Sequence, residues 1–98
     1  MSDYWKDNGI EKPASRIVCA ANRKDGRIIT GARHYDKVMR EQMIASEGLE
    51  WWRSCEQGFI NQFGEFLTRE EAWVIANANG QIMRESTIQG TLFSECLY

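Results

Sequence analysis

The stretch GFINQFGEFLTREEAWVIANANGQ, from Gly58 to Gln81, decides how the chain is read. It divides into a β-hairpin over Gly58 to Leu67 and a helix that starts at Thr68. Phe59 and Ile60 close one apolar run, Gln62-Phe63-Gly64 makes the turn, and Phe66-Leu67 opens the return strand. Gly64 is the turn residue best able to take φ > 0. Thr68-Arg69-Glu70-Glu71 has the pattern of a capping box. The Thr68 hydroxyl accepts from the Glu71 backbone N–H, and the Glu71 carboxylate reaches back to the N–H of Thr68. Ala72, Ile75, Ala76 and Asn79 then share a helical face with Trp73 at its edge, and Gly80 stands where a helix ends in a left-handed residue. A helix N-terminus beside a strand edge and a turn favours anions.

Working outward, 98 residues suit one domain. A chain of this size buries only roughly two-thirds of its unfolded surface, so an oligomer would help it. The formal charge of −2 argues against a dedicated binder of DNA or RNA polymers, which is usually basic. It leaves room for a small anion held by two or three local arginines. No apolar run approaches the roughly 18 residues of a membrane span. The polar start, MSDYWKDNGIEKP, lacks the apolar core of a secretory signal. Cys19, Cys55 and Cys96 are odd in number and lack CxxC spacing, which speaks for reduced thiols in a cytoplasm rather than a disulfide scaffold or zinc ribbon.

Residues 1–15 hold the only proline and read as an N-terminal arm, with Tyr4 and Trp5 available to dock. The domain itself is expected over residues 16–98. Arg16 to Asn22 is a short buried strand, Lys24-Asp25-Gly26 a hairpin turn, and Arg27 to Thr30 the return strand. Tyr35, Val38, Met39, Met43 and Ile44 recur at helical spacing, which predicts a helix from Asp36 to about Glu47, ended by Gly48. Trp51-Trp52 reads as core on one side. Ile82 and Met83 suggest a short strand, and Arg84 to Gly90 a polar loop. The order β-β-α-β-β-α predicts an α+β fold: an antiparallel sheet built from two hairpins with two helices on one face.

The chemistry-bearing residues are few. His34 is the only histidine, and a lone histidine at a strand end is usually structural. No metal-ligand spacing, phosphate-binding glycine loop or dinucleotide fingerprint is present, so neither a metal nor a cofactor is expected. A non-catalytic binding protein is favoured over an enzyme. Arg33 follows a strand and precedes a helix; it either pairs with Asp36 or offers its planar fork to a phosphate. Arg69 is a cation at a helix start, where it needs a partner: Glu65, Glu70 or a bound anion. Phe63 at a hairpin tip suits stacking on a base or on another subunit, whereas Phe66 reads as core.

Taken together, GRIITGARHYDKVMREQM, EQGFINQFGEFLTREEAWVIANANGQI and TLFSECLY resemble the first type of the phage Thoeris anti-defence family, the sponges for cyclic ADP-ribose isomers. The similarity runs over Ile17 to Tyr98. It rests on the G-x-R-H turn at Gly31 to His34, the block from Gly58 to Ala72, the pair Gly80-Gln81, and the end Leu92 to Tyr98. The resemblance implies an antiparallel sheet with two helices, assembled as a homo-oligomer built from dimers, with cyclic ADP-ribose sites between subunits. It implies sequestration of a cyclic nucleotide immune signal, glyco-cyclic ADP-ribose or a cyclic di- or trinucleotide, without cleavage, in the cytoplasm of the infected bacterium. The residues that match the pattern, Arg33, His34, Phe63 and Phe66, are the ligand candidates. Arg69 joins them at the helix start, and Asn77, Asn79 and Gln81 are polar groups at the helix end. Two alternatives stand beside this reading: a small phosphodiesterase-like enzyme, and a phage protein that binds a host protein.

Overall fold

A computed structural model describes residue 9, residues 14–84 and residues 90–97. The expected arm over residues 1–15, including Tyr4 and Trp5, lies almost wholly outside the described residues, as do most of the loop expected after Arg84 and the terminal Tyr98. The strands are β1 (Ile17–Lys24), β2 (Arg27–Gly31), β3 (Glu56–Asn61) and β4 (Phe66–Thr68), and the helices are α1 (Lys37–Ala45), α2 (Leu49–Trp52) and α3 (Arg69–Ala78). All pairings are antiparallel in the order β2-β1-β3-β4. The α+β architecture with two main helices therefore follows the sequence reading. The single-turn helix α2 and a 3-10 turn at Ser94–Cys96 are additions to it. Ile82 and Met83 do not extend the sheet; instead the N–H groups of Met83 and Arg84 both donate to the Cys96 carbonyl.

Local chemistry accounts for each joint. Asp25 and Gly26 both have positive φ, 48° and 78°, the conformation of a two-residue turn whose twist matches the strands. Asn61 organises the second hairpin. Its side-chain Oδ1 accepts from the backbone N–H groups of Phe63 and Glu65, both at 3.0 Å, while its NH2 donates to Glu65 Oε1 and Ser15 Oγ. The capping box forms as read: Glu71 N–H donates to Thr68 Oγ1 at 3.2 Å and Thr68 N–H to Glu71 Oε1 at 3.0 Å. Asp36 caps α1 by accepting from Met39 N–H at 2.8 Å. A Cβ at Gly31 would strike the Asp36 carboxylate, so a side chain there would have to displace the cap.

The core lies between the sheet and both main helices. Ile17, Ala20, Ile29 and Phe59 of the sheet pack with Met39 and Met43 of α1, Ala72 and Ala76 of α3, Trp52, and the C-terminal Leu92, Cys96 and Leu97. A register shift between Ile17 and Cys19 turns Ile17 onto the same face as Ala20, so that both enter the core. On the opposite face Phe66 lies over Gly58, and the Arg23 guanidinium stacks on the Phe66 ring at 4.1 Å while donating to Glu56. Among the described residues no helix is long and apolar enough to cross a membrane.

Gly58 is where β3 and β4 approach too closely for any side chain: a Cβ would meet the Leu67 carbonyl and the Phe66 ring. Gly58→Ala is expected to cost about 2 kcal/mol or more, measured as a lower midpoint in urea with an unchanged slope.

Candidate functional site

The polar groups of the core-side sheet face converge where α1 and α3 begin. Asn22 and Gln57 are directly paired on β1 and β3, on the face that carries Ala20 and Phe59. Arg69, first residue of α3, stretches its guanidinium across this level. Nη2 donates to Gln57 Oε1 at 2.7 Å, Nη1 donates to the Leu92 carbonyl at 2.8 Å, and the group lies 4.8 Å from the centre of the Phe93 ring. The backbone returns the contact, with Leu92 N–H donating to the Arg69 carbonyl at 3.0 Å.

Arg69 is half-buried, and among the described residues no carboxylate comes within ion-pair distance of it. Its pKa is pushed down by burial, against the more distant pull of Glu95 and Glu70. A guanidinium in such a place is held by neutral acceptors and keeps its charge available.

The bond to Arg69 fixes the direction of the next ones. Because Gln57 Oε1 accepts, its NH2 must donate, and it does so to the Tyr35 hydroxyl oxygen at 3.3 Å. The Tyr35 hydroxyl also meets Cys55 Sγ at 3.6 Å, a contact in which either group can donate. Tyr35 is exposed and holds a φ of 60°, a left-handed conformation that costs a bulky residue free energy. Its pKa is raised, first by burial of the phenol's inner side and then by Cys55, with Asn22 and Arg69 opposing.

His34 stands beside this group as a structural residue. A carbonyl only accepts, so the 2.8 Å contact of Nε2 with the Gly58 carbonyl places the proton on Nε2. Nδ1 then accepts from Ser94 Oγ at 3.2 Å, while that oxygen accepts from His34 N–H. The ring meets Phe59 edge-on at 5.2 Å. Burial, then the Arg69 charge, hold its pKa below the ordinary histidine value, against the hydrogen bonds to Gly58 and Ala21.

The sequence-predicted residues are therefore dispersed. His34 and Arg69 meet in one electropositive corner. Arg33 precedes it, with its backbone N–H donating to Asp36 Oδ2. Phe66 is on the opposite sheet face. Phe63 sits half-buried in the hairpin turn at the other end of β3. Asn79 donates to the Ser15 carbonyl, and Gln81 spends both amide atoms on the backbone of Ile17, at 3.0 and 2.9 Å. Asn77 is exposed on α3. These helix-end groups lie a helix length, roughly 15 Å, from Arg69. Sequence reading missed Asn22, Tyr35 and Gln57. A tyrosine directly after the lone histidine was the one signal available for any of them. Among the described residues no cluster of three histidine, cysteine or acidic side chains is placed to hold a metal.

Residues 16–98 match the family model described as "Phage T4 y16D protein". No curated protein and no solved structure is detectably similar. The chain belongs to the phage T4 y16D protein family.

Neutral His34 makes stability depend on pH in a defined direction. The unfolded imidazole binds its proton near pH 6.5, roughly, and the folded one only at lower pH. The His34 contribution is complete above that pH and is lost as pH falls through the folded pKa. Asp36, held low by its bond from Met39, and Glu71, held low by Thr68, act only at more acidic pH. The melting temperature is expected to fall between about pH 7.5 and pH 5, and His34→Gln is expected to flatten that slope.

Proposed function

We propose that this phage T4 y16D family member binds and sequesters a cyclic nucleotide immune signal of the glyco-cyclic ADP-ribose kind, without cleaving it. The observation that carries the reading is Arg69: a half-buried guanidinium, fixed by two neutral oxygens, that no described carboxylate neutralises. Beside it the Tyr35 hydroxyl accepts from Gln57 and keeps its own hydrogen to donate. A phosphate placed there takes a charge-assisted bond from one and a hydroxyl bond from the other, and the guanidinium is already desolvated for it. The resemblance of the Gly31–His34 turn and the Gly58–Ala72 block to the anti-defence sponges supplies the ligand class.

The arrangement also bears on turnover. Both His34 ring nitrogens are engaged, one by the Gly58 carbonyl and one by Ser94, which leaves neither as a general base. That favours binding over a phosphodiesterase. A sponge needs slow release, and a nanomolar complex requires about −12 kcal/mol, within reach of two phosphate contacts and a stacked base on a pre-organised site. Assembly into a homo-oligomer, with the ligand enclosed between copies, belongs to the same proposal. The outer sheet face, where Arg23 lies between the exposed Ile28 and Phe66, is the surface available for it.

The test is titration calorimetry with glyco-cyclic ADP-ribose, followed by chromatography of the heat-released ligand. Saturable binding with the ligand recovered intact is expected. Arg69→Gln is expected to weaken it by about 100-fold, and Arg69→Lys by about tenfold, since a point charge replaces a fork. A cleaved product, or no heat at all, overturns the proposal.

A further inference from the structure

Asn22 is an anomaly in the middle of the sheet. It is fully buried, and neither its amide oxygen nor its amide nitrogen has a hydrogen-bond partner. Buried polar atoms are nearly always paired, so such a group needs an account. Its cross-strand neighbour Gln57 spends its own amide on Arg69 and Tyr35. The Asn22 amide lies against the Tyr35 phenol, near enough to act on its ionisation but outside hydrogen-bonding geometry. The residue covering it is therefore the one that is exposed, strained at positive φ, and anchored at its tip by long contacts of 3.3 and 3.6 Å.

We infer that Asn22 is the base-reading group of the Arg69 site, uncovered when Tyr35 swings outward. The inference rests on the phosphate role of Arg69 proposed above. A primary amide with a free donor and a free acceptor side by side is complementary to a planar edge that presents an acceptor next to a donor. A purine with an exocyclic amino group beside a ring nitrogen has that edge, and asparagine meets it with two parallel bonds. Arg69 and Asn22 flank the same phenol, so a nucleotide phosphate on the guanidinium brings its base towards the amide. The Tyr35 ring, once displaced, is free to stack on the base.

The test uses the intact protein with three probes: pyrophosphate, AMP, and purine riboside 5′-monophosphate, which lacks the amino group. Wild type is expected to bind AMP about tenfold or more tightly than the purine analogue. Asn22→Leu is expected to erase that preference. The same variant is expected to melt roughly 4 °C or more higher, because leucine fills a similar volume without unpaired polar atoms. Asn22→Ser serves if leucine does not fit. Equal affinity of wild type for the two nucleotides, or a preference that survives at Asn22→Leu or Asn22→Ser, overturns the inference. If pyrophosphate still binds in those cases, the Arg69 reading stands alone. If neither pyrophosphate nor either nucleotide binds, the Arg69 reading falls and the inference falls with it.

Discussion

A positive charge without a nearby negative one is expensive to bury, and the corner around Arg69 is built to bear that cost. The Leu92 carbonyl, Gln57 Oε1 and the Phe93 ring each take part of the guanidinium. Gln57 belongs to β3 and Leu92 and Phe93 to the C-terminal segment, so the charge on α3 draws these three parts of the chain to one point. The reciprocal bond from Leu92 N–H to the Arg69 carbonyl locks that turn in place. Ser94, two residues on, then reaches His34 and fixes its tautomer. Removing the cation would relax the dielectric strain and also untie this end of the molecule. That coupling of a charge to the architecture is how the domain holds a guanidinium with no described carboxylate at ion-pair distance.

The edges of the sheet are handled by side-chain amides. Gln42 accepts from Thr30 N–H and donates to the Thr30 carbonyl, completing the outer rim of β2. Gln81 does the same for Ile17, where β2 no longer covers β1. Gln62 pairs with Arg16 N–H and the Ala14 carbonyl. A glutamine amide carries the same donor and acceptor as a peptide, so each stands in for one residue of a missing strand. The sheet of a chain with 98 residues is short of neighbours, and three such amides blunt edges that would otherwise pair with other chains. Gln81, which the sequence suggests as a reader of a base edge, has this task in the fold.

Asn22 and Tyr35 carry the opposite economy. Both are locally unfavourable, one for unpaired polar atoms and the other for its backbone, and they touch. Sites of binding are where such costs collect, because selection for a ligand tolerates instability that selection for folding alone would remove.

The sequence by itself determined the four strands in two hairpins and the two main helices, but not α2 or the 3-10 turn, and the strand it suggests at Ile82 and Met83 does not form. Asp25-Gly26 and Gly64 marked the turns, Thr68 and Glu71 the start of α3, and helical spacing marked α1, although of the residues on that spacing only Met39 and Met43 are buried, while Tyr35, Val38 and Ile44 are exposed. These are local signals, each set by residues within a few positions of one another. His34 and Arg69 were legible as candidates because each was anomalous where it stood. The tertiary structure alone decided which polar groups meet. Asn22, Tyr35, Gln57 and Arg69 come from a strand, a turn, a second strand and a helix start, and nothing in their spacing announces a common corner. It also decided that Asn79 and Gln81, expected at the end of α3 as binding groups, bond the chain at the N-terminal end of β1, a helix length away from the charge. A side chain's neighbours across a sheet depend on register and on which face packs, and those are fixed only when the whole core closes.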